Sequence, residues 1–333
     1  MDQKDSNTLI HVSRRAMASE FEVCFSPERC GDGVDFALES LDLVETLEEQ
    51  LSFFQPASQI GKINCLAAHE PVEVEPWLFD LLRSATELCR ETQGAYDITS
   101  SPLWEAWGFA RRDGKIPSDA QLAEARRCVG SQFVELDPQQ RTIRFCKPGM
   151  KINLGSIGKG YALDICGERL VALGMTDYLL HGGQSSVLAR GVSAPDSAPR
   201  HDTAPGPWEV GIRHPRQPGH RLGVARLRNR GLGTSGGRFQ SFRHRGRRYG
   251  HILDPRSGWP VEGVFSTTVL APTAALADAL STAFHVMGPR QSLEYCRSHP
   301  EIGLVMVCPA TKGGDVELHV AGLDDKDVVI DGG

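Results

Sequence analysis

The stretch that most constrains the fold is KINLGSIGKGYALD, residues 151–164, because it joins a strand to a helix through three glycines. Gly155, Gly158 and Gly160 are expected to free backbone N–H groups that point at an oxyanion, and a helix beginning here adds partial positive charge. Lys159 adds a full positive charge at the same place. The stretch lacks the hydroxyl that follows the lysine of a P-loop, and it does not read GxGxxG. It predicts a phosphate-binding turn, with a glycine-rich turn that binds nothing as the alternative.

Size and composition exclude several classes of protein. The chain has 333 residues, 40% of them hydrophobic and 23% charged, which suits a soluble protein with a sizeable core. No stretch approaches the roughly 18 apolar residues of a membrane-spanning helix. A net charge of -6 argues against a nucleic-acid partner, although Arg243, Arg245, Arg247 and Arg248 cluster on an expected hairpin.

The N-terminus and the cysteines bear on the compartment. Residues 1–11 form a tail without the apolar core of a signal peptide. The nine cysteines are odd in number and show no CxxC spacing, which favours buried thiols over a disulfide framework or a zinc knuckle. These features predict a cytoplasmic protein, or a periplasmic or membrane-anchored one if an export signal was removed.

The periodicity of apolar residues predicts mixed strands and helices without a steady βαβ alternation, which is typical of an α+β fold. We expect one domain over residues 12–330, with a mobile loop insertion at 193–207. Residues 94–109 carry too many turn formers for a regular helix and predict a structured loop. Strands are predicted at 15–25, 133–136, 142–145, 178–188, 238–243 and 248–253, and helices at 34–51, 77–92, 118–129, 161–173 and 273–288.

The helix APTAALADALSTAFHVMG has well-marked ends, with Thr273 as N-cap and Gly288 as C-terminal stop. One of its faces carries short polar side chains where a surface helix would carry Lys, Glu or Arg, so we expect that face to look into a site. A small solvated face is the alternative. The residues of this face are Asp278, Ser281, Thr282 and His285.

Asp278 and Thr282 stand one helical turn apart and could reach the same hard cation. Mg²⁺ commonly takes one or two protein ligands and completes its shell with water and substrate phosphates. A phosphate-bearing ligand at the glycine-rich stretch would therefore complete the site.

His251 lies at the end of a predicted strand, before the sequence DPRSGWP. Histidine is the commonest general base or proton donor near neutral pH, so His251 is a candidate for the chemistry, with a structural role as the alternative. Asp254 is interpreted as a turn former before proline.

Taken in order, these and further motifs resemble those of the ApbE family of FAD:protein FMN transferases. The matching segments cover most of the chain: AMAS (16–19), LSFFQPASQIGKIN (51–64), GAYDITSSPLWEAWGF (94–109), NLGSIGKGYALD (153–164), HGGQ (181–184), GTSG (233–236), HILDPRSGWP (251–260) and APTAALADALST (271–282).

The resemblance implies an α+β fold related to the T-fold, with two lobes around an FAD and Mg²⁺ cleft. It implies transfer of FMN from FAD to a threonine hydroxyl of an acceptor protein through a phosphoester, with release of AMP. The acceptor threonine would lie in a short Asp-to-Ala-Thr motif. The implied FAD contacts are Met17, Phe54, Ala95, Tyr96, Asp97, Asn153, Lys159 and Ile252. The implied metal ligands are the Ser156 carbonyl, Asp278, Ser281 and Thr282, and the implied catalytic residues are His251, Asp278 and Lys159.

Several positions differ from the family pattern. Asn153 and Gln184 stand where the family has aspartates, and Phe54 stands where it has a tyrosine. The typical member is also an exported lipoprotein, and no lipobox cysteine is present. The alternatives are therefore an FAD pyrophosphatase that gives FMN and AMP, a non-catalytic FAD-binding protein and, from another class, a nucleic-acid-binding protein using the arginine cluster.

Overall fold

A computed structural model describes residues 9–193, 205–236, 240–310 and 315–331. Over these ranges the fold is α+β, as the sequence predicts. The strands are β1 (Ile10–Ala16), β2 (Ser19–Phe25), β3 (Val72–Glu73), β4 (Val134–Asp137), β5 (Thr142–Phe145), β6 (Tyr178–Gly182), β7 (Ser186–Arg190), β8 (Trp208–Arg213), β9 (Arg221–Leu227), β10 (Arg230–Gly236), β11 (Ser241–His244), β12 (Arg247–Gly250), β13 (Ser266–Ala271), β14 (Gly303–Pro309), β15 (Val316–Ala321) and β16 (Val328–Ile330). The helices are α1 (Gly33–Leu51), α2 (Gln59–Leu66), α3 (Pro76–Glu91), α4 (Ser101–Ala106), α5 (Asp119–Arg127), α6 (Gly158–Ala172) and α7 (Ala274–Ser298).

The central layer is an eight-stranded antiparallel sheet in the order β1-β2-β6-β7-β10-β13-β14-β15. Alternate side chains of each strand point to opposite faces, so the sheet supports two separate cores. On one face Leu188 packs in the core that contains α1, α6 and α7. On the other face Val187 and Ala189 pack against a three-stranded sheet of β16, β9 and β8.

Helix α7 lies unusually close to its neighbours because glycines face it. A Cβ at Gly233 of β10 would stand 2.4 Å from the Ala277 carbonyl oxygen, and a Cβ at Gly160 of α6 would stand 2.2 Å from the Ala274 carbonyl oxygen. Neither position has room for a side chain. Glycine at these positions therefore sets how close α6 and β10 come to the start of α7.

The predicted single strand at 15–25 is wrong. The structure has the hairpin of β1 and β2, with Ala16 paired to Ser19 across a turn at Met17 and Ala18. Both turn residues have positive φ, 49° and 54°, as a type I′ turn requires. The turn contains neither glycine nor asparagine, the residues that usually mark such a turn, so the sequence does not reveal it. The first strand also begins at Ile10, inside the predicted tail of residues 1–11, of which residues 1–8 lie outside the described ranges.

The prediction of a loop without regular helix at 94–109 is also wrong in part. Residues Ser101–Ala106 form α4, and a 3₁₀ turn follows at Phe109–Arg111. Proline in the first turn favours a helix start because its missing N–H is one of the groups that a helix leaves unpaired there.

Helix α6 begins three residues before the predicted start at Tyr161, because packing against α7 offsets the poor helix propensity of Gly158 and Gly160. The predicted N-cap of α7 is confirmed: Thr273 Oγ1 accepts a hydrogen bond from the Leu276 N–H at 3.2 Å. Gly288 interrupts the helical geometry with φ 72°, and a second helical segment continues to Ser298.

Most of the predicted insertion at 193–207 lies outside the described residues, as does the start of the predicted strand at 238–243. The described ends of the insertion meet, since the Ser193 N–H donates to the Gly206 carbonyl at 2.9 Å. All nine cysteines are free, and five of them are buried. Among the described residues, no helix combines the length and apolar character needed to cross a membrane.

Candidate functional site

A cleft of about 1230 Å³ lies where the start of α6, the polar face of α7, the residues after β12 and the loop before α4 meet. It brings together residues from every motif of the sequence analysis. The predicted site residues that line it are Phe54, Ala95, Tyr96, Asp97, Asn153, Ser156, Lys159, His251, Ile252, Asp278, Ser281 and Thr282.

Met17 is the exception. It lies in the β1–β2 turn, is partly buried against the main core, and is not among the lining residues. The backbone reverses here, so Ser19, two residues further on, faces the cleft instead.

Asp278 is the most deeply placed carboxylate of the cleft, with 7% of its surface exposed. Its Oδ2 accepts hydrogen bonds from the Gly160 amide and the Ser186 hydroxyl, both at 2.8 Å. Burial raises the pKa of Asp278 to about 7, against the opposing effects of the Lys159 charge and of these two hydrogen bonds. Both bonds use Oδ2.

Three hydroxyls stand together beside Asp278 on the same wall. Ser235 Oγ lies 2.8 Å from Ser281 Oγ and 3.1 Å from Thr282 Oγ1. Ser281 also donates to the Asp278 carbonyl at 2.8 Å, which fixes its rotamer against the helix. A carboxylate surrounded by hydroxyls is a set of hard oxygen donors, the chemistry that Mg²⁺ prefers. Asp278, Ser281 and Thr282 thus line the cleft, and their role in a site stays a prediction.

His285, the fourth residue of that face, does not line the cleft. It is 2% exposed, and its Nδ1 lies 3.2 Å from Thr267 Oγ1 in the interior. Burial lowers its pKa to about 3, so the ring is neutral.

The prediction that glycine amides form an anion-binding nest is wrong. The Gly155 N–H donates to Asn153 Oδ1 at 2.8 Å, and the Gly158 N–H donates to the Leu154 carbonyl at 2.7 Å. The third glycine amide, that of Gly160, is taken by Asp278. Positive charge reaches the cleft through Lys159 instead, whose Nζ donates to the hydroxyl of Ser185.

The two helices that carry the site cap each other. While Asp278 of α7 receives the Gly160 amide of α6, Asp164 of α6 receives the Ala274 and Ala275 amides at the start of α7, both at 2.8 Å. Burial raises the pKa of Asp164 to about 6, although the two amide bonds oppose that rise. Each carboxylate thus satisfies N–H groups that a helix start leaves without partners.

His251 has a defined tautomer. Its Nδ1 lies 3.0 Å from the Gln240 carbonyl oxygen and must donate to it, so the neutral ring keeps a free electron pair on Nε2. Burial lowers the pKa of His251, and the bond to Gln240 opposes that change only in part. The ring is therefore a neutral base in the cleft wall.

Asp97 holds the loop rather than offering free charge to the cleft. Its Oδ1 accepts from the Thr99 hydroxyl and the Ser131 hydroxyl, both at 2.7 Å, and its Oδ2 accepts from the Ser131 amide at 3.1 Å. The buried Tyr96 next to it has its hydroxyl 3.5 Å from Ser156 Oγ. Asp97 therefore fixes the wall on which Ala95 and Tyr96 are placed.

An aromatic pair lies on another part of the cleft wall. Phe54 is 67% exposed, and its ring centroid lies 6.4 Å from that of Trp104, at a tilt of 54°. Large aromatic side chains are seldom this exposed without a partner, so the pair is suited to stack a planar ring.

Sequence reasoning missed several polar residues of the cleft. Ser185 follows directly after the HGGQ motif, and Ser235 belongs to the GTSG motif, so the motifs themselves were the available signal. Arg213 carried no such signal. It comes from β8 and donates to Gln184 Oε1 at 2.5 Å, so the amide at this position is held by an arginine.

Comparison with known proteins agrees with this fold. The ApbE protein of Thermotoga maritima superposes with a TM-score of 0.81 at 28% identity, covering 93% of this chain and 96% of that chain. Pseudomonas stutzeri flavinyl transferase ApbE gives a TM-score of 0.79 at 28% identity, covering 96% of both chains. The FAD:protein FMN transferase of Haemophilus influenzae is 30% identical over 260 residues, 76% of this chain and 72% of the relative.

These similarities define a transferase with an α+β fold. The ApbE family model matches residues 15–306, and the chain therefore belongs to the ApbE family.

Proposed function

We propose that this protein transfers FMN from FAD to a threonine hydroxyl of an acceptor protein, with Mg²⁺, and releases AMP. In the balanced step the threonine oxygen forms a bond to the FMN phosphorus and the bond from that phosphorus to the AMP oxygen breaks. The hydroxyl proton leaves to a base, and AMP departs with the former bridging oxygen.

The observation that best supports the proposal is that a positive and a negative side chain lie in the same cleft. Lys159 and Asp278 both line it, and the Lys159 charge acts on Asp278 strongly enough to oppose the rise of its pKa. Transfer of a phosphoryl group depends on positioning and on neutralising phosphate oxygens. Lys159 would neutralise one such oxygen.

The residues around Asp278 fit a magnesium ion. Asp278 Oδ1, Thr282 Oγ1 and Ser281 Oγ are hard oxygen donors on one helix face, and the Ser156 carbonyl is the fourth ligand that we propose. When bound, the ion would neutralise phosphate oxygens and help the leaving group depart. Ser235 would orient both hydroxyls, since it contacts each of them.

His251 would take the proton from the attacking threonine. The Gln240 carbonyl holds its Nδ1–H, so the proton would be accepted at Nε2. Because burial keeps the ring neutral near pH 7, it is in the form that a general base requires.

Phe54 and Trp104 would stack the flavin ring, and Ala95 and Ile252 would supply apolar contact beside it. Asn153 is committed to the Gly155 amide and would act by shaping the turn before α6. Met17 and the Asp97 carboxylate, placed by the resemblance among the FAD contacts, would act on the shape of the cleft rather than on FAD itself.

The test is to incubate the purified protein with FAD and Mg²⁺, with and without a peptide that carries an Asp-to-Ala-Thr acceptor motif. We expect the peptide mass to rise by one FMN, with an equal amount of AMP. A matched peptide with the threonine changed to valine should stay unmodified. AMP with free FMN and no labelled peptide would establish an FAD pyrophosphatase instead, and bound but unchanged FAD would establish a carrier.

A further inference from the structure

A second cluster of metal-ligating side chains stands on the sheet, away from Asp278. Glu22 Oε1 lies 2.9 Å from His11 Nδ1, 3.0 Å from His181 Nε2 and 3.2 Å from Cys24 Sγ. His11 Nδ1 and Cys24 Sγ are 3.3 Å apart. The ligand atoms of His11, Glu22 and Cys24 thus all lie within 4.8 Å of one another, and His181 contacts Glu22 from the neighbouring strand.

The strand register explains why they meet. His11 of β1 is the direct partner of Cys24 in β2, and His181 of β6 is the direct partner of Glu22. Glu22 and Cys24 are two residues apart on one strand, so all four side chains leave the same face of three neighbouring strands. The opposite face of β2 carries Phe21 and Val23, which are fully buried.

The ligand types select the class of cation. One thiolate, two imidazoles and one carboxylate are the ligand set of zinc and similar divalent transition metals, whereas Mg²⁺ prefers oxygen alone. Bonds of about 2.0–2.3 Å in a tetrahedral site put ligand atoms roughly 3.3–3.7 Å apart. The separations among His11, Glu22 and Cys24 are 2.9–3.3 Å and need to widen by only a few tenths of an ångström. His181 lies 3.0 Å from Glu22 and has to turn its ring toward the ion to become the fourth ligand.

Burial gives the site an inner and an outer side. Cys24 is 3% exposed at the bottom of the cluster, while the His11 side chain is 53% exposed and leaves a path for a cation to enter. His181 Nδ1 is buried without a hydrogen-bond partner among the described residues, so no hydrogen bond behind the ring resists a small movement.

We propose that His11, Glu22, Cys24 and His181 form a zinc-type transition-metal site that joins β1, β2 and β6. Binding releases the Cys24 thiol proton, and each imidazole carries its remaining proton on the nitrogen that faces away from the ion. His181 also lines the large cleft, and its strand leads into Gly183, Gln184 and Ser185 of the cleft wall. The bound ion therefore fixes the position of β6 through ligands other than Asp278.

The experiment uses the full-length protein, stripped with a chelator and titrated with Co²⁺ in excess Mg²⁺. We expect one Co²⁺ per chain, with a thiolate-to-cobalt charge-transfer band in the near ultraviolet and the visible absorption of tetrahedral cobalt. Excess Mg²⁺ keeps the Asp278 site filled, and cobalt bound there by oxygen alone would give no thiolate band. Zn²⁺ added in equal amount should displace Co²⁺ and remove both signals.

Two variants with matched controls assign the ligands. Cys24→Ser should remove the charge-transfer band, while Cys65→Ser, at an exposed cysteine elsewhere, should keep it. His11→Gln should weaken Co²⁺ binding by more than about tenfold, with the exposed His69→Gln as control. Because His11 is on the surface, its variant is expected to fold even if Cys24→Ser does not. A wild-type protein with no thiolate band, or a band that persists in His11→Gln at unchanged affinity, would overturn the proposal.

Discussion

The Gly160 amide donates to Asp278 Oδ2 across 2.8 Å, from the first turn of α6 to the first turns of α7. The two residues that this bond joins belong to different motifs and stand 118 positions apart in the sequence. It requires the helices to lie so close that no side chain fits at residue 160. The position of the proposed metal carboxylate thus depends on a glycine that contributes no side chain.

Gly160→Ala should therefore damage the site without touching its ligands. The new Cβ would stand 2.2 Å from the Ala274 carbonyl, so the helices must separate. We expect a loss of about 1–3 kcal/mol in the free energy of unfolding, measured with urea, and at least a tenfold fall in turnover. Gly31→Ala is the matched control, because nothing lies within 4 Å of its new Cβ. Equal changes of unfolding free energy and turnover in Gly160→Ala and Gly31→Ala would contradict the close-packing argument.

Asp164 gives the free energy of unfolding a specific pH dependence. Its folded pKa of about 6 lies above the ordinary value of 3.8, so the folded state holds the proton more tightly than the unfolded state. Proton binding by Asp164 therefore stabilises the folded state by about 3 kcal/mol at most. This stabilisation is complete below about pH 4 and is lost as the pH rises through about 6. Asp164→Asn removes the titration. The stability of the wild type relative to this variant should fall between pH 4 and pH 7, and a constant difference would contradict the raised pKa.

His251 should set the acid limit of catalysis at saturating Mg²⁺. Its lowered pKa keeps the ring neutral to pH values below the ordinary 6.5, so the inflection in kcat/KM should lie below that value. His251→Gln should lose about 10²–10⁴ in rate and lose the inflection. If the rate instead falls with an inflection near pH 7, and that inflection shifts with Mg²⁺ concentration, the titrating group is Asp278. An unchanged acid limb in His251→Gln would exclude the histidine as the base.

Lys159 should act on the phosphates and not on the flavin ring. Lys159→Met is expected to weaken FAD binding by at least tenfold while leaving riboflavin affinity within about twofold, measured by flavin fluorescence. Lys151→Met is the control from the same stretch, since that lysine pairs with Glu105 at 2.8 Å. Equal losses of FAD and riboflavin affinity in Lys159→Met would contradict the phosphate assignment.

The sequence predicted the α+β class, the long helices and most of the residues that line the cleft, because those rest on local pattern and on ordered motifs. It could not predict that the amides of Gly155, Gly158 and Gly160 would donate hydrogen bonds within the protein, because their acceptors are set by chain folding and close packing. It also could not find the turn at Met17, which has no glycine or asparagine to mark it. The cluster of His11, Glu22, Cys24 and His181 could not be predicted either, because only the pairing of the strands brings residue 181 next to residue 22.

The most direct test of the account is the Mg²⁺ dependence of peptide flavinylation in wild type and in Asp278→Asn, followed by peptide mass and AMP release. The asparagine keeps the shape of the side chain and an acceptor for the Gly160 amide but loses the charge. We predict that wild type labels the peptide only with Mg²⁺, and that the variant is slowed by at least a hundredfold while still binding FAD. Labelling by wild type at full rate in chelator, or by Asp278→Asn at the wild-type rate, would contradict it.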